Sequence, residues 1–149
     1  MTGTATPPVV LVIAGNDPSG GAGLAADIQA VTALAAHPAP VVTSITVQDT
    51  RNVHHVQPVS AELVAEQARV VLADLPVRAI KIGLLASAEI GAAVAELLTA
   101  HVGIPVVLDP VLVASGGGRL AEAALTEVLL TRLLPLTTVS RRTRVSCAH

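Results

Sequence analysis

The stretch "IAGNDPSGGAGLAAD", residues 13–27, largely decides how the rest of the chain is interpreted. It begins as the end of an apolar, β-branched run, passes through a glycine-rich turn and continues with a helical pattern. A short continuous apolar run is typical of a strand buried on both faces of a parallel sheet. A glycine-rich turn that leads into a helix commonly holds an anionic or polar ligand, because the first N–H groups of a helix are free. The stretch therefore predicts a strand–turn–helix unit with a ligand at the turn.

The same alternation of strand and helix patterns continues through the chain. The patterns predict strands at residues 8–15, 40–49, 77–83 and 104–111, helices at 23–37, 60–75, 87–101 and 120–135, and a short hairpin or lid at 51–59. Strands alternating with helices of this length indicate parallel βαβ units. The predicted fold is α/β, a mostly parallel sheet covered by helices.

Composition and charge exclude several classes of function. The chain has 149 residues, a formal net charge of −2 and no Phe, Tyr or Trp. This balance gives no general attraction to nucleic acid or to an anionic membrane, and bases find no aromatic side chains on which to stack. The longest apolar stretch, residues 79–108, is interrupted by charged residues and Pro105, so we expect no membrane span. The single cysteine, Cys147, cannot form an internal disulfide and fits a reducing cytoplasm.

One general interpretation of the glycine turn is a P-loop, which requires G-x-x-x-x-G-K-[ST]. The spacing from Gly15 reaches Gly20, but Gly21 and Ala22 stand where the pattern needs lysine and a hydroxyl residue. Without the lysine that faces the phosphates, we reject the P-loop.

A second interpretation is the dinucleotide fingerprint. Gly21, Gly23 and Ala26 spell G-x-G-x-x-A, and Asp49 ends the next predicted strand, where a ribose-binding acid would lie. In the fingerprint the first glycine follows the strand almost directly, whereas "NDPSG" intervenes here. A nicotinamide-dependent oxidoreductase is therefore the weaker alternative.

Four motifs together are more specific than any one glycine pattern. In order and spacing, "IAGNDPSGGAGLAAD", "VQDTRNV", "IKIGLLAS" and "VVLDPVLVASGG" resemble the hydroxymethylpyrimidine and phosphomethylpyrimidine kinases of thiamine biosynthesis, members of the ribokinase-like superfamily. The resemblance covers about residues 8–138, roughly the N-terminal half of a family member.

The resemblance implies ATP-dependent phosphorylation of 4-amino-5-hydroxymethyl-2-methylpyrimidine and then of its monophosphate, with ATP and Mg²⁺ as cofactors. It is compatible with a homodimer. Two alternatives stay open: a kinase of the pyridoxine or pyridoxal type, and a non-catalytic pyrimidine-binding or interaction module.

The resemblance also assigns the glycine turn to the substrate. It implies that Gly15 frames the pyrimidine and that Asp27 accepts a hydrogen bond from the amine or hydroxymethyl group. Gln48 matches the family's pyrimidine-reading glutamine, and a carboxamide complements an amine donor beside a ring-nitrogen acceptor. Leu84 and Val111 match apolar positions that flank the ring.

Three charged residues need separate interpretation. Lys81 interrupts an apolar strand, where a charge costs several kcal/mol unless it is paired or lies at the strand's end; it matches a family lysine. Asp109, before Pro110 at a strand end, either helps organise Mg²⁺ near phosphates or acts as a structural cap. Lys81 and Asp109 are therefore candidates for the phosphate and Mg²⁺ side of the site. Asp17 is interpreted as an ordinary turn residue.

The end of the chain departs from the family pattern. After "RLLPLTTV" the family continues with "TPN" and, further on, an ATP-binding half, whereas this chain continues with "SRRTRVSCAH". Back-translation of "VSRRTRVSCA" with permitted codons, read in a shifted frame, yields Leu-Thr-Pro-Asn-Ala-Arg-Glu-Leu-Arg, so we expect a frame shift near Val139. We accordingly predict an N-terminal portion of a ribokinase-like kinase domain at 1–139, an aberrant, disordered tail at 140–149, and no useful kinase activity from the chain alone.

Overall fold

The computed structural model describes residues 6–111 and 123–141. Its strands and helices are β1 (Val9–Asn16), α1 (Gly23–Ala33), β2 (His37–Gln48), β3 (Val53–Pro58), α2 (Ala61–Asp74), β4 (Val77–Ile82), α3 (Ala88–Ala100), β5 (Val106–Leu108), α4 (Ala123–Val128) and β6 (Val139–Ser140). Between α4 and β6 the chain forms a π-helical segment at Leu129–Leu133 and a 3₁₀ turn at Leu134–Leu136. None of the helices in the described ranges is long and apolar enough to cross a membrane.

The strands form one sheet in the order β3-β2-β1-β4-β5-β6. All neighbouring pairs are parallel except β2 and β3, which form an antiparallel hairpin at one edge. The predicted α/β fold with a mostly parallel sheet is confirmed. Residues 51–59, predicted as a short hairpin or a lid, supply the single strand β3, which forms its hairpin with β2. Because the other strands run in one direction, the carboxyl ends of β1, β2, β4 and β5 lie at the same edge of the sheet.

The two faces of the sheet are packed unequally. Leu11 and Ile13 of β1 point into a large core, which β1, β2, β4 and β5 form with α2, α3, α4 and the segment after α4. The alternate residues Val12 and Ala14 point to the opposite face, where they meet Leu24 of α1 in a small core. Alternation along the strands thus sends side chains to both faces; among the described residues one face is heavily covered and the other is covered by α1.

Serine side chains cap the N-termini of two helices on the heavily covered face. Ser87 Oγ accepts a hydrogen bond from the Ile90 N–H at 3.2 Å and caps the start of α3. Ser60 Oγ accepts from the Leu63 N–H at 3.3 Å in the same way at the start of α2. These caps fix where both helices begin.

The junction between α1 and β2 differs from the sequence prediction. The helix predicted to run to residue 37 ends at Ala33, and Ala35 turns the chain with a φ of 57°. Leu34, inside the range predicted as helix, is 81% exposed. The His37 N–H donates to the Pro8 carbonyl at 2.9 Å, so pairing with β1 begins there. The helix prediction is wrong at this end because strand pairing outweighs the helical period.

The start of β2 contains two prolines, yet it lies beside β1. Strand β3 pairs with β2 only from Ser44 onward, so the first part of β2 has a free edge where proline is tolerated. Gln67 of α2 covers part of this edge: its amide accepts from the Val42 N–H at 3.1 Å and donates to the Val42 carbonyl at 3.3 Å. A helix side chain therefore satisfies the backbone that no strand reaches.

The last described segment extends the sheet into the predicted tail. In β6, Val139 pairs with Val107 and Ser140 with Leu108, and the Arg141 N–H donates to the Leu108 carbonyl at 2.9 Å. Ser140 and Arg141 thus continue the parallel sheet. Residues 142–149, with Cys147, lie outside the described residues, as do residues 112–122, which include three consecutive glycines at 116–118. The boundary at residue 139 stays a prediction.

Candidate functional site

A cavity of about 330 Å³ opens where β1, β2, β4 and β5 end, on the face covered by α1. In open parallel sheets this edge is where ligands bind. The site residues chosen from the sequence all line this cavity: Gly15, Asp27, Gln48, Lys81, Leu84, Asp109 and Val111. The fold therefore brings together residues that are widely separated in the sequence.

Asp17, 5% exposed, builds the glycine-rich turn at the mouth of the cavity. Its Oδ1 accepts from the Ser19 N–H at 2.8 Å and from the Ser19 hydroxyl at 2.7 Å. The Gly20 N–H donates to the Asp17 carbonyl at 3.1 Å and closes the turn. Asp17 therefore acts as a turn residue, as the sequence indicates.

The first residue of α1 packs directly on the end of β1. Gly23 has a φ of 55°, and a Cβ added there would collide with the carbonyl oxygen of Gly15. Only glycine combines this backbone conformation with so close an approach. The contact sets the position of α1 over the cavity.

Lys81 and Asp27 form an ion pair across the cavity wall. Lys81 Nζ donates to Asp27 Oδ2 at 2.6 Å, with the two side chains 21% and 19% exposed. Lys81 points to the α1 face because its strand neighbours Ile80 and Ile82 point into the large core. A Cβ on Gly83 would lie 2.9 Å from Lys81 Nζ, so the glycine leaves room for the ammonium group. The pairing provides the compensation that a charge in this strand requires.

Gln48 ends β2 beside Thr46, which points to the same side of the strand. Thr46 Oγ1 lies 2.7 Å from the Asn16 carbonyl oxygen and 2.9 Å from Gln48 Oε1. Thr46 lines the cavity and is 6% exposed. Thr46 was not among the residues predicted from the sequence, although its position two residues before Gln48 in a strand places it on the same face.

Asp109 follows β5 and meets a residue assigned to the tail. Its N–H donates to the Ile82 carbonyl at 2.9 Å, and its Oδ2 lies 3.8 Å from Arg141 Nη1. Arg141 lines the same cavity, which sequence analysis also missed. Within the described ranges, no group of three or more His, Cys, Asp or Glu side chains is placed to hold a metal ion.

Asp49 closes the loop between β2 and β3 at the rim. Its carboxylate accepts from the backbone N–H groups of Arg51 and Asn52 at 2.7 and 2.8 Å, and lies 2.8 Å from the His54 ring. The hydrogen bond with His54, followed by the two N–H groups, lowers the pKa of Asp49 to about 2. Asp49 is thus engaged within its own loop, unlike the ribose-binding acid of a dinucleotide site.

Solved structures similar to this chain define the class of protein. The crystal structure of phosphomethylpyrimidine kinase from Clostridium difficile matches with a TM-score of 0.83 and 34% identity, over 89% of this chain and 58% of that one. Pyridoxal kinase from Staphylococcus aureus, solved with pyridoxal, matches with a TM-score of 0.78 and 32% identity, over 90% of this chain and 49% of that one. The fold is ribokinase-like.

Sequence comparison narrows the class to a family. The model of the family described as phosphomethylpyrimidine kinase matches residues 17–141. The hydroxymethylpyrimidine/phosphomethylpyrimidine kinase of Streptomyces coelicolor is 44% identical over 135 residues, which are 91% of this chain and 50% of that protein. The chain belongs to the phosphomethylpyrimidine kinase family. It spans about half the length of the curated relatives it matches.

Proposed function

We propose that this chain forms the substrate-binding part of a hydroxymethylpyrimidine/phosphomethylpyrimidine kinase. The reaction transfers the γ-phosphoryl group of ATP to the hydroxymethyl oxygen of 4-amino-5-hydroxymethyl-2-methylpyrimidine, and in a second round to the monophosphate. One observation carries the proposal: in a chain of this family, all seven residues chosen from the sequence line one cavity. ATP as the phosphoryl donor is supported by the similar Staphylococcus aureus pyridoxal kinase, which has been solved with AMP-PCP and pyridoxal.

The cavity suits a ligand with a single ring. Ligand pockets commonly have volumes of about 300–1,000 Å³, and this cavity, at about 330 Å³, lies at the small end. Leu84 and Val111 give it apolar walls, and Gln48 offers a carboxamide edge. An aminopyrimidine presents a donor beside an acceptor, which is the pattern that a carboxamide pairs with in two hydrogen bonds.

The ion pair of Lys81 and Asp27 gives the polar wall a fixed geometry. With Nζ engaging Oδ2, the carboxylate of Asp27 is held toward the cavity. In the proposed complex Asp27 accepts a hydrogen bond from the amine or the hydroxymethyl group of the substrate. Phosphoryl transfer depends mainly on positioning and charge stabilisation, so a held carboxylate serves the reaction by orienting the acceptor alcohol.

Equilibrium binding of the pyrimidine to the purified chain tests the proposal. Gln48→Ala should weaken binding by about five- to 150-fold, because a bidentate contact is worth about 1–3 kcal/mol. Gln57→Ala is the matched control, because Gln57 lies on β3 in the same hairpin and its amide donates to the neighbouring Pro58 carbonyl at 3.3 Å. Equal affinities for the wild type and Gln48→Ala would contradict the assignment.

Pyridoxal serves as the competing ligand, since pyridoxal kinases share this fold. We expect the chain to bind the aminopyrimidine more tightly than pyridoxal. A clear preference for pyridoxal would replace the proposed substrate with the pyridoxal class while leaving the site in place.

A further inference from the structure

The hydroxyl of Thr46 stands between two groups that are both placed as acceptors. Its Oγ1 is 2.7 Å from the Asn16 carbonyl oxygen and 2.9 Å from the Oε1 position of Gln48. A threonine hydroxyl has one hydrogen to donate and two lone pairs with which to accept. It therefore cannot donate to both neighbours at once.

The two neighbours differ in what they can do. The Asn16 main-chain carbonyl can only accept, so at 2.7 Å it takes the hydroxyl hydrogen. The Gln48 carboxamide fills the same volume either way round, with its oxygen or its NH₂ group toward Thr46. Only the NH₂ group can donate to the remaining lone pair of Thr46. Hydrogen-bond chemistry thus selects the orientation in which Gln48 Nε2 faces Thr46 and Oε1 lies on the opposite side.

We propose that Thr46 is a specificity-determining residue, which locks the Gln48 carboxamide in one orientation. This inference rests on the proposed function, in which Gln48 reads the pyrimidine edge. A glutamine amide that is free to rotate can pair with a donor–acceptor edge or, after a half turn, with the reversed acceptor–donor edge. A locked amide can pair with only one of them.

The chemical consequence is discrimination between two closely related rings. A 4-aminopyrimidine presents an amine donor beside a ring-nitrogen acceptor, whereas a 4-oxopyrimidine presents a carbonyl acceptor beside a ring N–H donor. With the amide locked, the second ring places acceptor against acceptor and donor against donor, which leaves buried polar groups unpaired. The chain therefore rejects the 4-oxo ring, and the hydroxyl of Thr46 is the source of that rejection.

Ser44 offers a control on the same strand and the same side. It precedes Thr46 by two residues, is fully buried, and its Oγ has no hydrogen-bond partner in the described part of the chain. Ser44→Ala therefore removes a buried hydroxyl from β2, as the loss of the Thr46 hydroxyl does, but it leaves the contacts of Gln48 intact. A general effect of polarity in β2 would appear in both variants, whereas locking of the amide appears only at Thr46.

The test measures the dissociation constants of the purified chain for 4-amino-5-hydroxymethyl-2-methylpyrimidine and for its 4-oxo analogue by calorimetry. The wild type and Ser44→Ala should prefer the amino ring by about tenfold or more, the scale of one lost bidentate pair. Thr46→Val, which keeps the shape and loses the hydroxyl, should bring the ratio close to one. Thr46→Ser, which restores the hydroxyl, should recover the preference.

A Thr46→Val ratio equal to that of the wild type would overturn the inference and leave the proposed function standing. Wild-type protein that binds neither ring would overturn the proposed function, and the inference with it. Circular dichroism establishes that each variant is folded, and Thr46→Ala replaces Thr46→Val if the latter is not. The side-chain NH₂ resonances of Gln48 give an independent readout: they should shift in the variants that lack the hydroxyl and not in Ser44→Ala.

Discussion

The two faces of the sheet show how one strand pattern serves both stability and ligand chemistry. On the face covered by α2, α3 and α4, Ile80 and Ile82 of β4 are completely buried. Between them, Lys81 points to the other face and meets a single helix through Asp27. Neighbouring residues of one strand therefore have opposite environments, a direct result of the two-residue period of a strand.

The difference teaches where a fold of this size can accommodate a cavity. The large core is continuous from α2 to the segment after α4, whereas the buried residues of the small core, in the part of the chain that the structure describes, are Val12, Ala14 and Leu24. The closely packed face supports the opposite face, which is covered by α1 and is called the thin face below. On the thin face, α1 leaves the strand ends open. Substitutions on the two faces should therefore separate effects on folding from effects on binding.

The largest expected effect is on the heavily covered face. Ile82→Ala should lower the free energy of unfolding by about 2–5 kcal/mol, because it leaves a cavity in a fully packed core. Val10→Ala, on the α1 face and only partly buried, should cost clearly less. Chemical denaturation of both variants measures the difference. Equal losses would mean that the two faces contribute alike, against the comparison drawn from their packing.

The next effect tests the contact that positions α1 on the thin face. Gly20→Ala should lower the free energy of unfolding by about 1–2 kcal/mol, the cost of a positive φ for a residue with a Cβ. It should cause no collision, because no described heavy atom lies within 4 Å of a Cβ at this position. Gly23→Ala adds the collision with the Gly15 carbonyl, so it should destabilise the protein more and also weaken pyrimidine binding. Unfolding and binding measurements on the pair separate backbone conformation from close approach. Indistinguishable variants would show that α1 shifts freely.

Much of the fold could be predicted because most of its strands are short, apolar and bounded by turns. The segment at residues 8–15 became β1 (Val9–Asn16) almost unchanged. The end of α1 could not be predicted in this way, because the helical spacing of Leu34 is local, whereas the pairing of His37 with Val9 is a contact between separate strands. Where a local helical period competes with pairing between distant strands, only the helical period can be recognised in the sequence.

The candidate site, like the fold, could be predicted from the sequence only in part. Seven of the residues lining the cavity could be chosen in advance because motifs of the family contain them. The partner of Lys81 could not, since Asp27 lies 54 residues away on a different element. The sequence indicated only that Lys81 needed compensation, and the fold supplies it. Arg141 was missed because its segment was assigned to a tail, although its backbone continues the sheet from β6.

A smaller effect probes the ion pair of the thin face. Lys81→Met and Asp27→Asn should each destabilise the protein, and the double variant should lose less than the sum of the two. Pairs in direct contact commonly show a coupling of about 0.5–3 kcal/mol, and with the side chains still 21% and 19% exposed we expect a value toward the lower end. A double-mutant cycle by chemical denaturation measures the coupling. Strictly additive losses would show that the 2.6 Å contact contributes nothing to stability.

The smallest effect concerns the loop between β2 and β3, which lies beyond both cores and is held by local contacts. Asp49 has a pKa of about 2 in the folded chain against an ordinary value of 3.8, with the His54 hydrogen bond as the main cause and the N–H groups of Arg51 and Asn52 next. A lowered pKa means that Asp49 contributes stability above about pH 3.8, and that this contribution is lost as the pH falls through about 2. In His54→Ala the pKa should rise, but not fully to 3.8, because the two N–H groups still donate. Carbon-13 NMR titration of the Asp49 carboxyl measures the change. The control is His55→Ala, a variant at the exposed residue next to His54. A midpoint that stays near 2 in His54→Ala, or that moves equally in His55→Ala, would show that the backbone of the loop, and not its histidine, holds this charge.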